Sequence, residues 1–178
     1  MVLHELLVAL AIGGAVIGVT YSALEHGLRT HAVGAARVET QQAARNAVAR
    51  LTHELRYAGR GARWSDAAIA IAEPSRIVLA SDFDDDGTTN DRGEQITWQL
   101  VGSVLRRNGG TGAGAQPIVN GVRSFALRYF DVNGAPTSDV TNVRTVEIAL
   151  VTEPTWSASG LAEGVASQVI TRVRLRNR

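Results

Sequence analysis

An uninterrupted apolar stretch near the N-terminus limits what this chain can fold into. Every residue from Leu6 to Leu24 is uncharged, and most are Leu, Val, Ala, Ile or Gly. A helix needs roughly 20 mostly apolar residues to cross the hydrocarbon core of a membrane. The stretch therefore predicts a helix that lies in a membrane or in a bundle of similar helices.

Glu5 is an acidic side chain at the start of this apolar stretch. A carboxylate at bilayer depth costs on the order of a few kcal/mol and usually has a partner or a function. Adjacent helical residues point to different faces, so His4 is poorly placed to pair with Glu5. The cation must then come from the chain's own N-terminus or from another molecule. A signal peptide is a competing interpretation, but its basic n-region and small-residue cleavage site are not evident here.

Composition excludes several functional classes. The chain has 178 residues, and about 150 of them remain outside the apolar stretch, which suits one soluble domain with a sizeable core. The net charge is only +1, so no global field favours nucleic acid or an acidic substrate. Because cysteine is absent, disulfides, thiolate metal sites and cysteine nucleophiles are excluded.

The helical pattern continues beyond the apolar stretch, because residues 25–57 contain no proline. One stripe of apolar residues recurs at intervals of four, three, four and three, as in an amphipathic helix. Its members are Ala44, Val48, Leu51, Leu55 and Ala58. Gly59 and Gly61 then supply a stop signal. A continuous helix from Met1 to about Tyr57 would be on the order of 85 Å long.

From residue 67 onward the apolar period changes to two, which is typical of half-buried strands. The predicted strands cover residues 76–80, 95–100, 103–107, 124–131, 145–151 and 168–176. Short turns between them favour an antiparallel meander, and the preceding helix makes the fold class α+β. We therefore expect a membrane or core helix over residues 1–24 with a protruding apolar half. Residues 25–178 are expected to form its continuation, packed on an antiparallel sheet in a head domain with exposed loops at 108–116 and 132–142.

The acidic loop between the first two of these predicted strands has the spacing of a calcium-binding loop. Asp82, Asp84 and Asp86 place carboxylates at alternate positions, and Gly87 permits a tight turn. The Thr88 carbonyl, Asn90 and Glu94 are the further candidate ligands. The twelfth position is Gly93 where an EF-hand has Glu, and the flanking segments are strands, so a true EF-hand is excluded. The alternatives are a bound calcium ion that orders the loop, or a solvated acidic turn.

The remaining motifs do not predict an enzyme. The glycine-rich segment 110–115 fits a relaxed dinucleotide fingerprint, but Pro117 and a strand follow it where a helix is needed. No two of the four histidines are three or four residues apart, so no histidine pair on one helix face can bind a metal. We expect a non-enzymatic protein.

Residues 5–12, Glu-Leu-Leu-Val-Ala-Leu-Ala-Ile, resemble the N-terminal helix of type IV pilin-like proteins. The resemblance implies that a prepilin peptidase cleaves a leader and methylates the amine of Met1. It also implies that Glu5 pairs with the terminal amine of a neighbouring subunit. Family members commonly begin with Phe and Thr, where this chain has Met1 and Val2.

The order of the later segments is similar to that of minor pilins of the PilW type. The segments that carry this similarity are residues 51–59, residues 82–87 followed by 94–98, and residues 121–131 followed by 143–150. J-type pseudopilins of type II secretion share the same plan and are the nearest alternative. The resemblance implies a structural subunit in the inner membrane before assembly, and in a periplasm-spanning or cell-surface filament afterwards.

The partners that this resemblance implies are other pilin subunits, the prepilin peptidase and the inner-membrane assembly machinery. No nucleic-acid partner is predicted. The alternative class is a single-pass membrane protein whose ectodomain binds a ligand or acts as an enzyme.

Overall fold

The computed structural model describes residues 2–62, 67–154 and 166–177 as one long helix followed by eight strands. Helix α1, Val2–Tyr57, runs for 56 residues without a break, which corresponds to about 85 Å. The strands are β1 (Ile69–Ala72), β2 (Arg76–Ala80), β3 (Gln95–Val101), β4 (Val104–Asn108), β5 (Gln116–Val119), β6 (Val122–Phe130), β7 (Thr145–Thr152) and β8 (Ser167–Arg174). The predicted α+β fold class is confirmed.

Helix α1 ends at the predicted stop. Gly59 has a φ of +76°, in the left-handed region that glycine adopts at helix C-termini. A side chain there would meet Ala68 and the backbone oxygen of Asn177. The side-chain amide of Asn177 donates to the carbonyl of Ala58 at 3.2 Å, so the C-terminal tail satisfies part of the helix end.

The strands form two antiparallel sheets, whereas one meander was expected. The first sheet has the order β1-β2-β3-β4-β5 and the second has the order β6-β7-β8. Strands β1 and β5 were not predicted; each has only four residues. Pro117 in β5 lacks an N–H, which suits the edge of a sheet. The chain then turns at Gly121, whose φ is +67°, and β6 begins a new ladder with β7.

The stripe of α1 packs into a core shared by both sheets. Its five predicted members are all buried: Ala44, Val48, Leu51, Leu55 and Ala58. The helix lies against β5, β7 and β8, and Trp98 of β3 is fully buried in the same core. Burial of a leucine side chain stabilises a fold by about 1.5–3 kcal/mol. The predicted packing of the helix on the sheets is confirmed.

The turn between β1 and β2 connects the two sheets. The backbone N–H of Leu127 in β6 donates to the Pro74 carbonyl at 2.7 Å. The hydroxyl of Tyr129 donates to the Glu73 carbonyl at 2.8 Å. Burial, with a smaller contribution from the charge of Glu73, raises the pKa of Tyr129 above its ordinary value, so this phenol stays a donor at physiological pH. The two sheets therefore enclose one core.

This packing predicts that residues 25–178 fold without the apolar segment. In that fragment Leu51→Asp should abolish the cooperative thermal transition, because Leu51 is 1% exposed and a buried unpaired charge is costly. Ala49→Asp is the matched control, because Ala49 is exposed on the same helix. Circular dichroism melts compare the three chains. Equal melting temperatures for Leu51→Asp and its parent would contradict the packing described here.

Candidate functional site

The N-terminal part of α1 is an apolar surface that the head does not cover. All residues from 3 to 31 are exposed. By length and composition this helix can cross a membrane; a signal sequence can have the same length and composition. The large apolar side chains exposed along it are Leu3, Leu6, Leu7, Val8, Leu10, Ile12, Val16, Ile17, Val19, Tyr21, Leu24 and Leu28.

The hydroxyl groups in this stretch are satisfied by the helix itself. Thr20 Oγ1 donates to the Val16 carbonyl at 2.8 Å, and Ser22 Oγ donates to the Val19 carbonyl at 3.0 Å. Such bonds to the preceding turn remove the need for a water partner. The stretch can therefore enter an apolar environment without leaving these donors unpaired.

Glu5 lies in the first turn of α1 and is exposed. None of the ion pairs among the described residues includes Glu5. The partner site predicted at Met1 lies outside the described residues. Farther along, Glu25 and Arg29 form an ion pair one turn apart. This pair marks the end of the uncharged stretch on the same helix.

A second candidate site is the acidic loop between β2 and β3, and its own carboxylates shape its backbone. Asp82 Oδ2 accepts the N–H of Gly87 at 2.9 Å, and Asp86 Oδ1 accepts the N–H of Thr88 at 2.7 Å. Asp84 Oδ1 accepts the N–H of Asp86 at 3.3 Å. Short Asp side chains favour such turns. Asp85, with a φ of +61°, adopts the left-handed region at the tip.

The structure brings three of the predicted ligands together. One oxygen from each of Asp82, Asp84 and Asp86 lies within 4.8 Å of the other two. Asp84 and Asp86 are exposed, whereas Asp82 is only 3% exposed. Oδ1 of Asp82 is buried and accepts no hydrogen bond from the described residues. This arrangement can hold a hard cation.

The other predicted ligands have different environments. Glu94 is buried and braces the loop: Oε1 accepts the N–H of Phe83 at 2.9 Å, and Oε2 accepts the N–H of Asp91 at 3.1 Å. Thr88 is exposed, and its hydroxyl donates to Asp91 Oδ2 at 3.2 Å. Asn90 is exposed.

Crowded negative charge affects the loop tip. The N–H of Asp86 lowers the pKa of the Asp84 carboxyl, but desolvation and the charges of Asp86, Glu94 and Asp82 together raise it above its ordinary value. Ionising Asp84 is thus harder in the folded loop than in the free residue. A bound cation would reverse the sign of this interaction.

Glu54 joins α1 to the first sheet and was not predicted from the sequence. Glu54 Oε2 accepts the indole N–H of Trp98 at 2.6 Å, and Oε1 accepts Nε–H of Arg107 at 2.7 Å. Its position could have been recognised from its spacing, because Glu54 follows Leu51 by three residues and so lies beside the buried stripe. Its role is to pair the buried indole and to fix the helix on β3 and β4.

The long apolar helix packed on antiparallel sheets is compatible with a pilin-like fold. No protein-family model matches the chain, and no curated protein matches it significantly.

The two hydrogen bonds that Glu94 accepts across the loop should contribute to the free energy of unfolding. Glu94→Gln keeps the shape but offers only one acceptor oxygen, so either the Phe83 or the Asp91 N–H loses its partner. We expect a loss of about 1–3 kcal/mol in the free energy of unfolding. Urea unfolding in the presence of chelator measures it, with exposed Glu39→Gln as the control. An equal stability of the two variants would show that the brace contributes nothing.

Proposed function

We propose that this chain is a minor pilin, a structural subunit of a type IV pilus-like filament that primes, caps or decorates the fibre. It is inserted in the inner membrane before assembly and polymerises through its N-terminal helix. The observation that carries this proposal is the exposure of residues 3–31 on a helix whose later half is packed in the head.

The exposed apolar surface supports a partner or a membrane around the N-terminal half. A helix that is apolar on all sides is covered by lipid or by similar helices. The uncharged run from Leu6 to Leu24 has 19 residues, about 28 Å at helical rise, close to the thickness of a hydrocarbon core. The same run can leave lipid for a bundle of helices, because both environments are apolar.

Continuity of α1 favours a filament over a plain anchor. The 56-residue helix has no break between its apolar half and the stripe that holds the head. A membrane tether needs only a flexible link to its head, whereas a fibre needs each head at a fixed position relative to the core. A single helix shared by core and head supplies that rigidity.

Glu5 supplies the assembly specificity in this proposal. A carboxylate in an apolar bundle is stable when a cation from a neighbour neutralises it. The resemblance of residues 5–12 points to the methylated amine of Met1 on an adjacent subunit, produced by a prepilin peptidase. Assembly machinery in the inner membrane would then extract the subunit.

Substituting Glu5 tests this role. Glu5→Gln should leave the chain stable in the membrane but lower its recovery in sheared filaments about tenfold or more, since removing one partner of a desolvated charge pair leaves the other charge uncompensated, at a cost of about 3–5 kcal/mol. Immunoblots of filament and membrane fractions measure both pools. Glu25→Gln is the control, because Glu25 lies on the same helix beyond the uncharged run.

Three outcomes separate the alternatives. Loss of filament recovery in Glu5→Gln alone supports assembly through this carboxylate. Normal recovery of Glu5→Gln in filaments contradicts it. Absence of the wild-type chain from every filament fraction, with full recovery in the membrane, favours a single-pass anchor with a ligand-binding ectodomain.

A further inference from the structure

Asp82 combines burial with an incomplete set of partners. The residue is 3% exposed. Gly87 N–H occupies Oδ2, but Oδ1 is buried without a hydrogen bond among the described residues. No Arg or His of the described chain forms an ion pair with Asp82. A buried carboxylate in this state is costly unless a cation compensates it.

The oxygens around Asp82 have the separation that one cation can bridge. Calcium binds oxygens at about 2.3–2.6 Å, so two ligands of one ion lie at most about 5 Å apart. The carboxylate oxygens of Asp82, Asp84 and Asp86 are within 4.8 Å of one another. Magnesium, with bonds of about 2.0–2.1 Å, restricts its ligands to about 4.2 Å and demands a stricter geometry. Oxygens within this range can reach one calcium ion, whose coordination geometry is flexible, whereas magnesium would require a stricter arrangement of the same aspartates.

We propose that Asp82, Asp84 and Asp86 bind calcium and that the ion fastens the exposed loop tip to the C-terminal end of α1. Asp82 is the buried ligand, and its Oδ1 has no hydrogen-bond partner among the described residues that would compete with the ion. Asp84 and Asp86 reach the same ion from the exposed tip. The loop backbone turns at Asp85 and Gly87, whose φ angles are +61° and +85°.

The segment that carries Asp82 is docked on the helix end. The N–H of Asp82 donates to the Arg60 carbonyl at 2.9 Å, and the N–H of Gly59 donates to the Ala80 carbonyl at 2.8 Å. A side chain at Gly61 would collide with the carbonyl of Asp82, so the two segments must stay in close contact. An ion held by Asp82 is thereby linked to the end of α1 through backbone bonds.

Glu94 supports the site from behind. Its carboxylate accepts the N–H groups of Phe83 and Asp91, one on each arm of the loop. The N–H of Ser81 donates to the Glu94 carbonyl at 3.0 Å, next to Asp82. Glu94 is therefore a positioning residue that fixes Phe83, which lies between Asp82 and Asp84, against the other arm of the loop.

Calcium binding by the full chain in detergent micelles tests the proposal. Isothermal titration with calcium chloride should show one saturable site, and the melting temperature should rise with free calcium above the value in chelator. Asp84→Asn should weaken calcium binding about tenfold or more, because it removes a charged ligand without affecting a buried residue. Asp85→Asn is the matched control: it removes the same charge from the same tip, and Asn accepts a positive φ.

The outcomes are distinct. A large loss in Asp84→Asn with less than about threefold loss in Asp85→Asn supports a built site. Equal losses in both variants indicate diffuse attraction to an acidic turn and overturn it, as does a wild-type chain that neither binds calcium nor melts higher with it. Equal competition by magnesium overturns the assignment to the larger ion.

Hydrogen exchange tests the link to the helix. Calcium should slow amide exchange at the loop tip and also at residues 54–61, and Asp84→Asn should abolish both effects. Protection limited to residues 84–88 would overturn the link to α1. None of these measurements involves filaments, so their result is independent of the proposed assembly role.

Discussion

The packing of Leu51 and Leu55 of α1 into the core is the interaction on which the rest of the structure depends. Both residues are buried in the core that the two sheets share, and among the described residues the strands of the two sheets form separate ladders. The helix contacts strands of both sheets, so its packing joins them in addition to the hydrogen bonds made by the turn between β1 and β2. Glu54 adds directional contacts to Trp98 and Arg107 in the same region. Removing this face of the helix would expose both sheets at once.

The two halves of the same helix present different surfaces. Beyond Ala44 it has a buried stripe and an opposite polar face, as an element of a water-soluble head does. Over residues 3–24 its apolar side chains are exposed, and its hydroxyl groups bond back to the helix. The ion pair of Glu25 with Arg29 lies just after the uncharged run. Because the helix is continuous, the orientation of its apolar half and that of the head are coupled.

The burial of Asp82 distinguishes the acidic loop from an ordinary exposed acidic turn. Exposed aspartates in a turn are usual in proteins without any ion. Asp82 differs because its segment is hydrogen-bonded to Arg60 at the helix end, its carboxylate is buried, and Oδ1 has no hydrogen-bond partner in the described part of the chain. Burial is what makes a cation energetically valuable at this position.

Local pattern was sufficient for much of the fold and for the proximity of the three aspartates in the acidic loop. The stripe from Ala44 to Ala58, the helix stop at Gly59 and the alternation in β7 follow from periodicity and from glycine, so they could be read along the chain. The spacing of Asp82, Asp84 and Asp86 identified the cluster for the same reason. Glu5 was identified by its charge in an apolar run.

Tertiary structure decided what depends on distant partners. Short edge strands β1 and β5 lack a distinctive period, so pairing alone defines them, and the division into two sheets follows from the new ladder that β6 forms with β7. The contact of Glu54 with Trp98 spans 44 residues. Glu94 accepts hydrogen bonds from both arms of the loop, and Asp82 is buried where its backbone is hydrogen-bonded to Arg60; both contacts depend on residues that the local pattern does not place. The sequence determined which residues carry charge and apolar surface; the fold determined which of the charged side chains are buried away from water.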